Sequence, residues 1–288
     1  MKLLSYRREG QTRAAVARDD GIVDVQEANP ELPSCIKRLL AGGPEMLARV
    51  GKAVATQPSR ALPEAERVPP IPSPEKIICV GLNYADHARE GGREPPEEPI
   101  IFGKYPSAAL AHEQTIELPP ISQEVDYEAE LVAVIGRPGR HIPEDQAAEH
   151  VAAYCCGNDV SARDWQFNHT GGQWLLGKTF DTFAPFGPYL VTADEVLDPD
   201  KLDIRLRLNG QVMQDSNTEQ LIFSIPRLIA HVSQFFTLQP GDLLFTGTPP
   251  GVGFARQPQV FLKPGDMLEV EIDGLGTLRN PVVAGASH

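Results

Sequence analysis

The stretch Gln123-Glu124-Val125-Asp126-Tyr127-Glu128-Ala129-Glu130-Leu131-Val132-Ala133-Val134-Ile135 decides how the rest of the chain is read. Successive side chains of a β-strand point to opposite faces. A strand over Tyr127 to Ile135, with its lead-in, puts Glu124, Asp126, Glu128 and Glu130 on one side and Val125, Tyr127, Ala129 and Leu131 on the other. Glu128 and Glu130 adjoin the apolar run through Val134 and so lie deepest. Two deep carboxylates on one face repel unless a cation lies between them or one of them holds a proton. A hard divalent cation with oxygen ligands suits such a pair. A solvated strand face has the same alternation, and this stretch by itself leaves both open.

Strand signals continue on either side. Lys76 to Val80 is a short apolar run ending at Gly81, and Val151 to Cys156 is another. Leu202 to Leu208 alternates and meets Asn209-Gly210, a type I′ hairpin signal leading into Gln211 to Met213. Asp242 to Thr246 and Met267 to Ile272 each follow a Pro-Gly-Asp turn. Pro143 to Val151 and Ile225 to Phe235 are the main helix candidates. Strands outnumber helices and do not alternate with them, which predicts an α+β fold with a mostly β core. Residues 1 to 57 form a small unit of strands (Lys2 to Tyr6, Ala14 to Arg18, Ile22 to Val25) and helices (Ser34 to Leu40, Met46 to Thr56). The six prolines of 58–74 read as an extended linker, with 75–288 as the catalytic domain.

Composition narrows the function. The 288 residues carry 26 Lys and Arg against 39 Asp and Glu, a net charge of −13. Nucleic-acid binding, which needs a basic footprint, is excluded on that count. No apolar run approaches the length of a membrane span and the N-terminus has no secretory pattern. Cys35, Cys79, Cys155 and Cys156 form no C-x-x-C pair, which predicts buried free thiols in a reducing cytoplasm.

Further polar clusters carry candidate chemistry. In Gly157-Asn158-Asp159-Val160-Ser161-Ala162-Arg163-Asp164-Trp165-Gln166, Asp159 can complete a three-carboxylate site. Arg163 and Gln166 share a face if the turn is helical. A capping aspartate and a surface ion pair would look the same. Gly172 to Thr179 spells G-x-x-x-x-G-K-T, but Trp174, Leu175 and Leu176 are too bulky for a phosphate loop, and Phe180 to Gly187 is no helix start. Lys178 beside apolar residues still needs an anion. Thr248, in Thr246-Gly247-Thr248-Pro249-Pro250-Gly251, offers a hydroxyl and an amide to a carboxylate, or simply sits in a tight turn. His87 and Glu90, three apart between Gly81 and Gly91-Gly92, are either a surface pair or an imidazole oriented as a base.

The blocks GLNYADHARE, VDYEAELVAVIG, GNDVSARDWQ, GQWLLGKTFDTFAPFGP, RLNGQVMQDSNT, GDLLFTGTPPGVG and FLKPGDMLEVEIDGLGTLRN occur in this order over residues 75 to 283. Together they resemble the fumarylacetoacetate hydrolase superfamily, and within it the branch of domain-containing proteins. The resemblance implies a β-rich roll of mixed strands, a homodimer, and Mg²⁺ or Mn²⁺ as cofactor. It places the metal ligands on Glu128, Glu130 and Asp159, the catalytic dyad on His87 and Glu90, and the active-site lysine on Lys178. Substrate contacts fall on Lys178, Thr248, Arg163 and Gln166. The implied substrates are 2-oxo acids with a carbonyl or carboxylate at C4, such as oxaloacetate and acylpyruvates. The expected reaction is C–C hydrolysis or oxaloacetate decarboxylation, with keto–enol tautomerisation as the alternative. A protein that binds oxo acids and a divalent metal without turning them over is the expectation from a different class.

Overall fold

The structure is a computed structural model that describes residues 1–63, 66–86, 94–169 and 171–286. Its elements in chain order are β1 (Lys2–Arg8), β2 (Gln11–Arg18), β3 (Gly21–Asp24), α1 (Val25–Ala28), α2 (Ile36–Ala41), α3 (Gly43–Val54), β4 (Ile77–Gly81), β5 (Ile100–Lys104), β6 (Ala109–Leu110), β7 (Ile116–Leu118), β8 (Val125–Asp126), β9 (Ala129–Ile135), β10 (Val151–Asn158) and β11 (Ser161–Ala162). They continue with α4 (Arg163–Phe167), α5 (Leu175–Lys178), β12 (Ala184–Thr192), β13 (Asp203–Leu208), β14 (Gln211–Asn217), α6 (Ile225–Val232), β15 (Leu243–Phe245), β16 (Met267–Ile272) and β17 (Gly276–Ala284). The mostly β, α+β expectation holds. No helix among the described residues is long and apolar enough to cross a membrane.

Three sheets organise these strands. The large one runs β3-β2-β1-β12-β10-β9-β15-β4-β5, with β6 added alongside β12. A five-stranded sheet runs β14-β13-β16-β17-β7, and β8 pairs with β11. Most pairs are antiparallel; β15 with β4, β12 with β6 and β17 with β7 are parallel. Strand β9 explains its own sequence: every one of its residues is buried. Leu131, Ala133 and Ile135 join the core shared with Leu206, Val270 and Leu278 of the second sheet. Val132 and Val134 face the other way, onto a core closed by Leu39 and Leu40 of α2 and Val50 and Val54 of α3. A strand covered on both faces needs an unbroken apolar run rather than alternation.

The N-terminal stretch adds its strands to the large sheet itself. Lys2 and Leu3 pair with Val191 and Leu190 of β12. The proline-rich segment crosses these strands: Arg60 bridges to Ile22, Arg67 to Tyr6, and Ile71 is buried. Helix α6 is built as its sequence suggests, with Ser224 capping the amide of Arg227 and Ile225, Leu228, Ile229 and Val232 buried on one face.

Some expected elements differ in extent. The strand read from Tyr127 begins only at Ala129, and Val125–Asp126 belongs to another sheet. The helix read over Pro143 to Val151 is a 3₁₀ stretch, Glu144–His150, whose acidic first turn is mostly exposed. The helix read from Met46 starts at Gly43, with Pro44 in its first turn. The run read as ending at Cys156 continues to Asn158, which brings its end beside the start of β9.

Candidate metal centre

Strands β9 and β10 run antiparallel, with Glu130 opposite Gly157 and Ala129 opposite Asn158. Gly157 is required there, because a Cβ would lie 2.4 Å from Val132 and 2.7 Å from Phe245. Just before β9 the chain leaves the ladder, yet Glu128 stays fixed. Its amide donates to Asn158 Oδ1 at 2.9 Å, and its carbonyl accepts the Asp159 amide at 2.9 Å. The neighbouring Ala129 amide donates to Gln214 Oε1 at 2.8 Å. Glu128, Glu130 and Asp159 thus converge from the start of one strand and the end of the next. One oxygen from each lies within 4.8 Å of the others, and all three are buried. Glu128 and Glu130 do converge, but Glu128 precedes β9 and is set there by these hydrogen bonds, and Asp126 and Glu128 are not in the register of one strand.

Three cations serve this cluster. Lys178 Nζ lies 2.8 Å from Glu128 Oε2 and 2.9 Å from Asp159 Oδ2. Arg163 Nη1 reaches Glu128 Oε1 at 2.7 Å and donates to Gln166 Oε1 at 2.9 Å. Lys104 Nζ lies 2.6 Å from Asp159 Oδ1. Arg163 also grips Asp126 through Nε and Nη2, at 2.9 and 2.8 Å. Asp126 further accepts the amides of Tyr127, Gly253 and Phe254.

The surroundings split the carboxylates. Burial pushes Glu128 upward, but Lys178 and Arg163 overcome it and hold the group down at about 2. Glu130 is pushed well above the ordinary carboxylate value, by burial first and then by the charges of Asp159 and Glu128. It accepts from the Gly247 amide at 2.8 Å, and among the described residues no cation lies within ion-pair distance of it. Lys178 is raised: burial works against it, and Asp159 and Glu128 outweigh that.

A divalent cation fits this arrangement. Asp159 Oδ1 is buried with no hydrogen-bond donor, although an ammonium stands beside it. Counting Asp126, four carboxylates face three cations, so the cluster carries one formal negative charge in excess. The donors are all carboxylate oxygens, the preference of Mg²⁺ and Mn²⁺.

Beside the cluster opens a cavity of about 290 Å³. Glu128, Arg163, Gln166, Lys178 and Thr248 form its polar wall; Val80, Phe102, Trp174, Val252 and Phe254 are among its apolar lining. Five of the sequence-predicted residues with described positions therefore line one wall, and Asp159 and Glu130 sit behind them. Thr248 Oγ1 already accepts from Gln214 Nε2 at 2.8 Å. Arg163 is so engaged that at most one of its N–H groups remains for a ligand. His87 and Glu90 lie outside the described residues. The phosphate-loop lookalike resolves as expected from its bulk: Trp174 packs edge-on against Phe102 at 5.5 Å, and Lys178 turns to the carboxylates. Sequence reasoning missed Lys104, whose only signal was a lysine closing the apolar run Ile100–Lys104, and it missed Asp126 as the anchor of Arg163.

Comparisons with known proteins show the family and the fold. Residues 76–283 match the fumarylacetoacetate (FAA) hydrolase C-terminal family. The chain is 51% identical over 264 residues to oxaloacetate tautomerase FAHD2A, mitochondrial, of Bos taurus, covering 91% of this chain and 84% of that protein. The fumarylacetoacetate hydrolase of Exiguobacterium antarcticum superposes with a TM-score of 0.85 at 34% identity, covering 99% of each chain. Maleylpyruvate hydrolase of Sphingobium sp. SYK-6, in complex with manganese(II) and pyruvate, gives 0.83 at 30% identity over 99% of this chain and 100% of that one.

Proposed function

The chain belongs to the fumarylacetoacetate hydrolase family, and on that premise we propose that it is a metal-dependent enzyme that interconverts the keto and enol forms of oxaloacetate. The observation that carries the reading is the 51% identity, over 91% of the chain, to a protein named oxaloacetate tautomerase. Hydrolysis or decarboxylation, the reaction expected first from the sequence, has weaker support: the named hydrolase that binds manganese and pyruvate is 30% identical.

The proposal gives Glu128, Glu130 and Asp159 the role of holding Mg²⁺ or Mn²⁺. Bound there, the cation supplies a Lewis acid for the negative charge that develops on the 2-oxo oxygen. Lys178 presents an ammonium at the cavity wall and orients a carboxylate of the substrate. Thr248 and Gln166 hold its other polar end. Arg163 acts on Glu128 rather than on the substrate, since most of its donors are spent on Asp126, Glu128 and Gln166. Tautomerisation moves one proton between C3 and the 2-oxo oxygen and needs no water, which suits apolar walls built from Phe102, Trp174, Val252 and Phe254. The proposal assigns the C3 proton to His87, oriented by Glu90. A homodimer is proposed from the family resemblance. The bovine relative is mitochondrial by name, so a mitochondrial location stands beside the cytoplasmic one as a proposal.

The test follows enol absorbance and pyruvate release separately, on chelator-stripped protein with and without Mg²⁺ or Mn²⁺. Metal-restored acceleration of enol–keto exchange is expected, with His87→Ala slower by about two orders of magnitude. Acetylpyruvate cleavage or pyruvate release from oxaloacetate without faster exchange would replace this reading by the hydrolase or decarboxylase one. Metal binding with no turnover of either substrate would make the protein a binder.

A further inference from the structure

Lys104 is fully enclosed, yet its ammonium is bound differently from that of Lys178. Its Nζ donates to the carbonyls of Val160 at 2.9 Å and Phe183 at 2.7 Å, and to that of Lys178. Three carbonyl acceptors use all three N–H groups, which a neutral amine does not have. The ammonium therefore meets Asp159 Oδ1, 2.6 Å away, as a bare charge rather than as a hydrogen-bond donor. Lys178, by contrast, is held among the described residues by Glu128 and Asp159 carboxylates and by the face of Phe102 at 5.1 Å. A change in the charge of the carboxylates can release Lys178; it cannot release Lys104, which three backbone carbonyls grip independently of them.

We propose that Lys104 is a positioning residue: a counter-charge, fixed by backbone carbonyls, that stands against Asp159 and weakens the grip of the carboxylate cluster on a divalent cation. The inference rests on the metal-centre reading above. Its consequence is opposite in sign to that of a merely structural lysine. Removing a positive charge beside a ligand leaves the cluster more negative, so the cation should bind more tightly. Removing a structural prop should loosen Asp159, so the cation should bind more weakly.

The experiment measures Mn²⁺ dissociation constants by titration calorimetry for the wild type, Lys104→Met and Lys104→Gln, with thermal unfolding to check that each folds. Methionine keeps most of the apolar stem, and glutamine keeps a donor for the carbonyls; both lose the charge. At least tenfold tighter Mn²⁺ binding in the folded variants is expected. Unchanged or weaker binding overturns the inference. Absence of Mn²⁺ binding by the wild type would instead overturn the metal-centre reading, so the two failures are distinct. Should neither variant fold, a crystal structure of the Mn²⁺-loaded wild type decides: Lys104 Nζ must still touch the three carbonyls and Asp159. An ammonium withdrawn from Asp159 there would refute the proposal.

Discussion

Replacing Asp126 by Asn separates two roles that a buried carboxylate beside a metal centre can have. The Asp126 side chain is wholly buried and accepts from five donors: the amides of Tyr127, Gly253 and Phe254, and Nε and Nη2 of Arg163. An asparagine can still accept at the position of Oδ1, toward Tyr127 and Gly253. Its NH₂ then faces Phe254 N–H and two N–H groups of Arg163, donors against a donor. Removing one partner of a buried pair costs about 3–5 kcal/mol, and Arg163 retains Glu128, so about 3 kcal/mol is expected. That should lower Tm by roughly 5 °C. Asp126 is not among the three converging ligands, so the Mn²⁺ dissociation constant should stay within about tenfold, or about 1.4 kcal/mol. Calorimetric unfolding of the metal-free protein and Mn²⁺ titration of the same sample measure both. An unchanged Tm with metal binding lost would show that Asp126 is a ligand and that the ligand set is misassigned.

Glu130→Gln should lose Mn²⁺ binding and activity together, and a variant that still binds one Mn²⁺ per chain would remove Glu130 from the centre. Gly253→Ala puts a Cβ 1.8 Å from the Val260 carbonyl oxygen and 2.7 Å from Asp126 Oδ1; it should cost about 1–3 kcal/mol or more and raise KM by moving the Phe254 wall, and a variant with wild-type Tm and KM would contradict that packing. Asp24 is driven upward by burial, but Arg13 and Tyr6 outweigh this and hold it below the ordinary 3.8. Its contribution is therefore present above about pH 4 and lost as pH falls through the lowered folded value; urea unfolding of wild type and Asp24→Asn should differ most near neutral pH and converge in acid, and a constant difference would refute the linkage.

What could be read from the sequence depended on how local the cause was. Glu128, Glu130 and Asp159 stand at two strand ends that the apolar runs mark, and Asn209-Gly210 declared its hairpin. Lys178 could be separated from a phosphate loop because Trp174 and its neighbours are bulky within a few residues of it. Lys104 offered no such signal: its partners Val160, Lys178 and Phe183 are 56 to 79 positions away. Asp126 was legible as an acidic residue on the right side of a strand, but the break before Ala129 and the approach of Gly253, 127 positions on, belong to tertiary structure. Pairing of Lys2 with Val191 is more remote still, and nothing near either residue encodes it.

That pairing bears on how the protein can be dissected. A fragment cut to the family match, 76–283, would keep Glu128, Glu130, Asp159 and the whole cavity wall. It would also strip β1 from β12, baring the backbone of Leu190 and Val191 along a sheet edge. Leu3, Val50 and Val54 would go with it, uncovering Val132, Val134 and Leu190 on the same side. An exposed apolar edge of this kind recruits strands from other molecules. The shortened chain should therefore precipitate or associate before its chemistry can be assayed, and biochemical work on this site belongs with a chain that keeps residues 1–75.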